Sequence, residues 1–222
     1  MANFPSTQWS LIRASGESPS ERHGAFGQLA QGYRAAIVAY FRAHLDRDAA
    51  EDATQSFLAA SFEHAWWSRA DAHAGSFRGF LCMLLRRHLG HLREGRTLTV
   101  ADSEVVELAL DPGASHQQQF DARFALTLMA HAVARLRADY ARRARTQLLE
   151  CLLPLLSSPP EHGELKAIAA SLAMPANSLS IELTRIRARL RTCMQVELRE
   201  LCADELAFDA DWAVLQQILG AR

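Results

Sequence analysis

With 222 residues, 24 basic and 25 acidic, and 49% apolar side chains, the chain is long enough for one large or two small domains with a packed core. That balance excludes a disordered chain, and 11 Gly and 7 Pro without a period exclude a fibrous one. No apolar run approaches the roughly 20 residues that a bilayer span needs, so no membrane association is expected. The opening Met1-Ala2-Asn3-Phe4-Pro5 has neither a basic n-region nor an apolar h-region, which leads us to expect a cytoplasmic protein. Cysteines 82, 151, 193 and 202 contain no C-x-x-C pair, so reduced and mostly buried thiols are expected rather than a zinc site or a disulfide framework.

Periodicity is helical nearly throughout, and the best strand signal is the short run Thr97-Leu98-Thr99-Val100, so the fold class is read as all-α. Gly95, Asp111-Pro112-Gly113 and the polar run Ser115 to Gln119 break the pattern and separate two helical modules. Charge alternates in blocks along the chain. Arg78 to Arg96 holds five arginines and one acid, Arg135 to Arg145 the same, and Arg185 to Arg191 four arginines and none. Asp102 to Asp111 holds four acids, and Glu200 to Asp211 five with no basic residue. Only Lys166 is a lysine, which favours planar guanidinium contacts to phosphate, carboxylate or base edges.

In the first module a helix beginning near Asp48 sorts on a wheel with Ala50, Ala53, Phe57, Leu58, Ser61 and Ala65 inward. Asp48, Asp52, Gln55 and Ala59 lie opposite, with Glu51 at the edge. This is either a solvated acidic helix start, which suits the N-terminal dipole, or a docking face for a basic partner. Trp66-Trp67 follows, then a polar turn over 68–75, then Ser76, which caps a basic helix running to about Glu94. Its apolar stripe is Phe77, Phe80, Leu81, Leu84, Leu85 and Leu92, and Arg78, Arg86, Arg87, His88, His91 and Arg93 fill the remainder. Two tryptophans beside arginines suit unpaired bases, by stacking and phosphate contact; the competing reading packs the indoles in the core.

In the second module two prolines in 157–163 end one helix. Glu164 to Leu172 reads as a short helix, with Leu165, Ile168, Ala169 and Leu172 inward. After Ala173-Met174-Pro175-Ala176-Asn177 a second helix starts near Ser178, with Leu179, Leu183, Ile186, Leu190 and Cys193 inward. Its far side carries Ser178, Ile181, Arg185, Ala188 and Arg189. A short helix, a turn and a longer basic helix make a helix-turn-helix, whose second element fits the roughly 12 Å major groove, or else an ordinary helical hairpin.

In this order the segments resemble the extracytoplasmic-function sigma factors of bacterial RNA polymerase over about residues 20 to 200. Asp48-Ala49-Ala50-Glu51-Asp52-Ala53-Thr54-Gln55 resembles their acidic D-x-x-E-D-x-x-Q segment, and Phe77-Arg78-Gly79-Phe80-Leu81 their F-R-x-W/F-L segment. Ala167 to Met174 and Arg185-Ile186-Arg187-Ala188-Arg189-Leu190 resemble their promoter-reading helix-turn-helix. Thr7-Gln8-Trp9-Ser10-Leu11-Ile12 and an acidic tail resemble a branch that carries such extensions.

The resemblance implies an N-terminal extension over 1–19, a sigma region 2-like helical bundle over 20–95 and a linker over 96–119. It further implies a region 4-like helix-turn-helix domain over 120–199 and a C-terminal extension over 200–222. Core RNA polymerase would be held by Asp48, Glu51, Asp52 and Gln55. The −10 element of promoter DNA would meet Trp66, Trp67, Arg78, Arg86, Arg87 and Arg93. The −35 element would meet Ser178, Ile181, Arg185 and Arg189 at the bases and Arg187 and Arg191 at phosphates, with Ile181 suited to a thymine methyl and Glu182 close to the DNA. In some relatives a threonine placed like Thr54 is phosphorylated by a Ser/Thr protein kinase, whereas the wheel puts Thr54 on the core side. The acidic tail, with Leu201, Leu206, Phe208, Trp212, Leu215 and Leu219 as its apolar side, is expected to pack as an amphipathic helix over the arginine face and restrain it. Ala173 stands where the family usually has glycine and His88 where it often has asparagine.

No nucleotide-binding, nucleophile-elbow or zinc-protease motif is present, so no enzyme activity and no cofactor are expected. His88 and His91 lack a further ligand at helical spacing, so no metal is expected. The alternative function is a helix-turn-helix regulator that binds DNA without joining polymerase.

Overall fold

The computed structural model describes residues 19–67, 75–94, 114–156 and 163–220. Among them are eight α-helices: α1 (Pro19–Arg42), α2 (Arg47–Glu63), α3 (Phe77–Glu94), α4 (Ala114–Arg142), α5 (Thr146–Leu152), α6 (Glu164–Ser171), α7 (Ala176–Arg199) and α8 (Glu205–Gly220). A 3-10 turn, Leu153–Leu156, follows α5. Extended pairing among the described residues is limited to one antiparallel bridge between Ser76 and Cys202. Thr97 to Val100, the expected strand signal, lies outside the described residues, as do 1–18 and 95–113.

Short-range chemistry sets the helix ends. Asp46 opens α2, its carboxylate accepting from the backbone N–H groups of Asp48 at 3.1 Å and Ala49 at 2.9 Å. Ser76 Oγ accepts from Gly79 N at 3.1 Å at the start of α3, and Asp204 Oδ1 from Ala207 N at 2.8 Å at the start of α8. Three helices end alike on an alanine in the left-handed region: Ala65 (φ 50) after α2, Ala144 (φ 54) after α4 and Ala173 (φ 50) after α6. Each carries the paired return bonds of a Schellman cap, as in Met174 N to Ala169 O at 2.9 Å and Ala173 N to Ala170 O at 3.2 Å. Ala65, expected on the inner face of a continuous helix, is therefore the residue that ends it.

The chain divides into two compact units, residues 1–127 with 198–222 and residues 128–197, and the divisions fall inside α4 and α7. The break in periodicity over about 95–119 separates two modules, and the resemblance implies a boundary at 119/120 and a separate tail over 200–222. In the structure 114–119 are already helical, and the tail belongs to the first unit.

In the first unit α1 packs on α2 and α3 around an aromatic core. The Tyr33 ring lies 5.2 Å from Phe77 and 5.5 Å, stacked, from Phe124 of α4, and Phe41 meets Phe57 edge-on at 6.2 Å. The tail is clipped to the start of α3 by two backbone hydrogen bonds, Phe77 N to Leu201 O at 2.9 Å and Ala203 N to Gly75 O at 2.8 Å. In the second unit Leu128, Leu136, Leu149, Leu152, Leu179, Leu183 and Ile186 form the core. The Arg135–Glu197 pair, at 2.6 Å, joins α4 to α7 within that unit.

Among the described residues no helix is long and apolar enough to cross a membrane. Of the four thiols, all free, only Cys82 is buried and the other three are half-buried, a more open set than the sequence suggested. Burial pushes the Cys82 thiol up to about 12, and Gln117 Nε2 donates to its sulfur at 3.0 Å.

Candidate functional site

The first candidate face is the start of α2. Ala50, Ala53, Thr54, Phe57 and Ser61 are buried, which leaves Asp48, Asp52, Gln55 and Ala59 exposed on the opposite side, as the wheel requires. Glu51 differs. It is half-buried, and its two oxygens accept from Arg34 Nη2 at 2.7 Å and Arg42 Nη2 at 3.0 Å, so it ties α1 to α2 rather than standing as a free acceptor. Such exposed pairs contribute about 0–1 kcal/mol each, so the gain is mainly one of orientation. The outward charge on this face is carried by Asp48 and Asp52.

Thr54 is fully buried and its hydroxyl donates to Ala50 O at 2.8 Å. A kinase cannot reach it in this fold, so the phosphorylation expectation is corrected to that of a small core residue.

The expected single-strand face is changed most. Trp66 and Trp67 are both buried, because the chain turns inward at left-handed Ala65 and brings the indoles onto the core. Trp67 packs on Phe26 at 4.9 Å and Phe77 at 6.0 Å, and Trp66 on Phe57 at 6.1 Å and His64 at 5.8 Å. Neither ring presents a face to a base, which corrects the stacking reading. Of the turn that follows, residues 68–74 lie outside the described residues.

Arg78 is also withdrawn from solvent. Its side chain is 13% exposed, with Nε 2.9 Å from Asp121 Oδ1 and Nη1 2.7 Å from Asp211 Oδ1, and those two carboxylates are only 6% exposed. Burial disfavours the guanidinium charge, but the Asp121 hydrogen bond and the two carboxylate charges outweigh it and raise the pKa further. Arg78 thus joins α3, α4 and α8 and is a structural ion, not a DNA contact.

Arg86 is half-buried and donates to Gln117 Oε1 at 3.2 Å, beside the buried Tyr40, whose hydroxyl burial pushes up to about 12 against the attraction of Arg86. Arg87 is half-buried and Arg93 is exposed on the last turn of α3, where Leu92, expected inward, is exposed too. His88 is buried with Nε2 2.8 Å from Ser56 Oγ, and burial followed by the His91 charge lowers its pKa to about 4. It is neutral at pH 7. No three metal-ligating side chains gather among the described residues.

The second candidate face is built by α6, the turn through Ala173 and α7. Leu179, Leu183, Ile186 and Leu190 are buried as the spacing requires, although on α6 only Ala169 is, with Leu165, Ile168 and Leu172 half-buried. On the far side Ser178 is half-buried, Ile181 is 53% exposed, and Arg185, Arg187 and Arg191 are exposed. An exposed branched apolar residue within a polar, cationic face costs solvation and suits an apolar contact such as a base methyl.

Three details depart from the expectation. Arg189 is held back, bonded to Asp139 Oδ2 at 3.0 Å with its guanidinium 5.9 Å from the centre of the Tyr140 ring. Arg187 donates to Leu155 O at 2.7 Å, which ties it to the 3-10 turn. Glu182 is buried and paired with Arg185 at 2.9 Å and Arg145 at 3.5 Å, so it is an internal counter-ion rather than a carboxylate offered to DNA.

Sequence reasoning did not identify Asp121 and Asp211 as the partners of Arg78. The i,i+3 and i,i+4 spacing of Asp139 with Arg142 and Arg143 was a readable signal for the hub those residues form. Comparison with known proteins gave no match to any protein-family model, curated protein or solved structure.

Proposed function

We propose that the chain is a sigma factor of the extracytoplasmic-function type, which binds core RNA polymerase and directs promoter recognition and melting. In this reading Asp48, Asp52 and Gln55 of α2 dock on the polymerase. Ser178, Ile181 and Arg185 of α7 face the bases of the −35 element, while Arg191 and Arg187 meet its phosphates. Arg87 and Arg93 lie nearest the opened −10 strand. The proposed place of work is the cytoplasm, and the proposed partners are core polymerase and promoter DNA.

The observation that carries the reading is the outward face of α2. Two carboxylates and an amide stand exposed on a helix whose other side is sealed in the core, at the spacing of the family segment they resemble. The exposed Ile181 within an otherwise polar face of α7 is in keeping with it. A regulator acting without polymerase would have no use for that α2 face. Mixing the full chain with core polymerase and transcribing fragmented bacterial DNA tests the reading. Defined new transcripts starting downstream of a shared sequence motif are expected. Tight duplex binding by the chain alone, with no co-elution with polymerase, would favour the regulator.

A further inference from the structure

Within the second unit, a cavity of about 310 Å³ is walled by Arg143 and Arg145 from the turn between α4 and α5 and by Arg185 and Arg189 from α7, together with Tyr140 and Glu182. Two carboxylates hold these arginines. Glu182 takes Arg185 at 2.9 Å and Arg145 at 3.5 Å. Asp139 takes Arg189 at 3.0 Å, Arg143 at 3.2 Å and Arg142 at 3.2 Å. Five guanidinium groups therefore share two carboxylates, and with about five N–H donors on each fork against about four lone-pair sites on each carboxylate, donors exceed acceptors severalfold. The Tyr140 ring lies beneath the Arg189 guanidinium and limits where that fork can swing.

Such a site requires a compact anion with several oxygens and more than one charge. Planar forks from two elements suit the oxygens of a phosphate better than the two oxygens of a single carboxylate. We propose that this cavity is a phosphate-binding site formed by Arg143, Arg145, Arg185 and Arg189. The phosphate comes either from the backbone of a duplex lying along α7 or from a free phosphate compound. Arg185, placed above at the bases of the −35 element, is here given to the backbone phosphate beside them, so the inference rests on that reading and refines it. It also gives Arg143 and Arg145, outside the helix-turn-helix, a part in holding the ligand.

The test uses the full chain and the double variant Arg143→Ala/Arg145→Ala. Both side chains are more than two-fifths exposed, so folding should persist. Calorimetric titration with inorganic pyrophosphate at low salt should show saturable one-to-one binding to the wild type. The double variant should weaken it by about tenfold or more, and the corresponding lysine pair, which keeps charge and loses the forks, should fall between. Arg123→Ala, an exposed arginine of the first unit, should leave it unchanged.

In parallel, duplex affinity is measured across a salt series. If the phosphate is that of the backbone, the double variant lowers the slope of log affinity against log salt by roughly 0.9 for each phosphate it no longer neutralises, and pyrophosphate competes with the duplex. If it is free, the slope stays while pyrophosphate binding falls. The proposal is overturned if the double variant changes neither measurement, or if Arg123→Ala weakens pyrophosphate binding as much. Neither arm contains polymerase, so failure of the sigma-factor reading would appear separately, as absent binding to the core enzyme.

Discussion

Replacing Arg78 by methionine removes the cation from between two carboxylates that water barely reaches. The side chain keeps similar length and apolar bulk, but Asp121 and Asp211, each 6% exposed, are left facing one another without the 2.9 Å and 2.7 Å bonds that hold them. Removing one partner of a buried ion pair costs about 3–5 kcal/mol. For a chain of this size each kcal/mol moves the melting temperature by about 2–4 °C, so thermal unfolding followed by circular dichroism at pH 7 should fall by roughly 6–20 °C. The stranded charges cause the loss, so adding Asp121→Asn and Asp211→Asn to Arg78→Met should restore most of it, the reverse of what further damage to a surface network would do. A decrease below about 3 °C, or a triple variant no more stable than the single one, would refute the assignment of Arg78 as the buried tie between α3, α4 and α8.

Ala173→Gly should stabilise the protein. The left-handed conformation costs a non-glycine residue about 1–2 kcal/mol, and the greater freedom of glycine in the unfolded chain returns about 0.4–1 kcal/mol, so urea unfolding should show a net gain of about 0.5–1 kcal/mol. A loss at Ala173 would contradict the φ of 50° there. His88 gives the pH dependence. Its pKa is about 4 in the folded protein against 6.5 in the unfolded chain, so the unfolded state takes up the proton first as pH falls. Its contribution is therefore complete above pH 6.5 and is lost progressively towards pH 4, by about 3 kcal/mol at most. His88→Asn should flatten urea-measured stability over that interval; an unchanged pH profile would show that His88 is not its source.

Helix ends and buried faces were readable where a local signal existed. Asp46 and Ser76 open α2 and α3 close to the expected Asp48 and Ser76, α3 ends at Glu94, and the stripe from Leu179 to Leu190 is the buried side of α7. These features depend on neighbours within about one helical turn, which is the range over which capping and periodicity act. What was not readable depends on distant partners. Arg78 and Asp211 are 133 residues apart, and a wheel that identifies an apolar side on the tail does not say which core receives it. The tryptophans followed the same rule. Their residue types suit base stacking, yet one left-handed residue before them directs both rings inward. Glu182 was assigned to the DNA side from its position on α7, and its neighbour Arg185 was a local hint of pairing, but Arg145, which completes its burial, comes from another element.

The sigma-factor reading stands or falls on whether the acidic face of α2 holds the polymerase. The affinity of the full chain for core RNA polymerase, measured beside that of Asp48→Arg/Asp52→Arg, tests this directly, because both side chains are exposed and their reversal leaves the core of α2 untouched. The account predicts tight binding by the wild type and a loss of about a hundredfold or more in the variant, since like charges juxtaposed in an interface cost several kcal/mol. Equal affinities, or no binding by either protein, would contradict it.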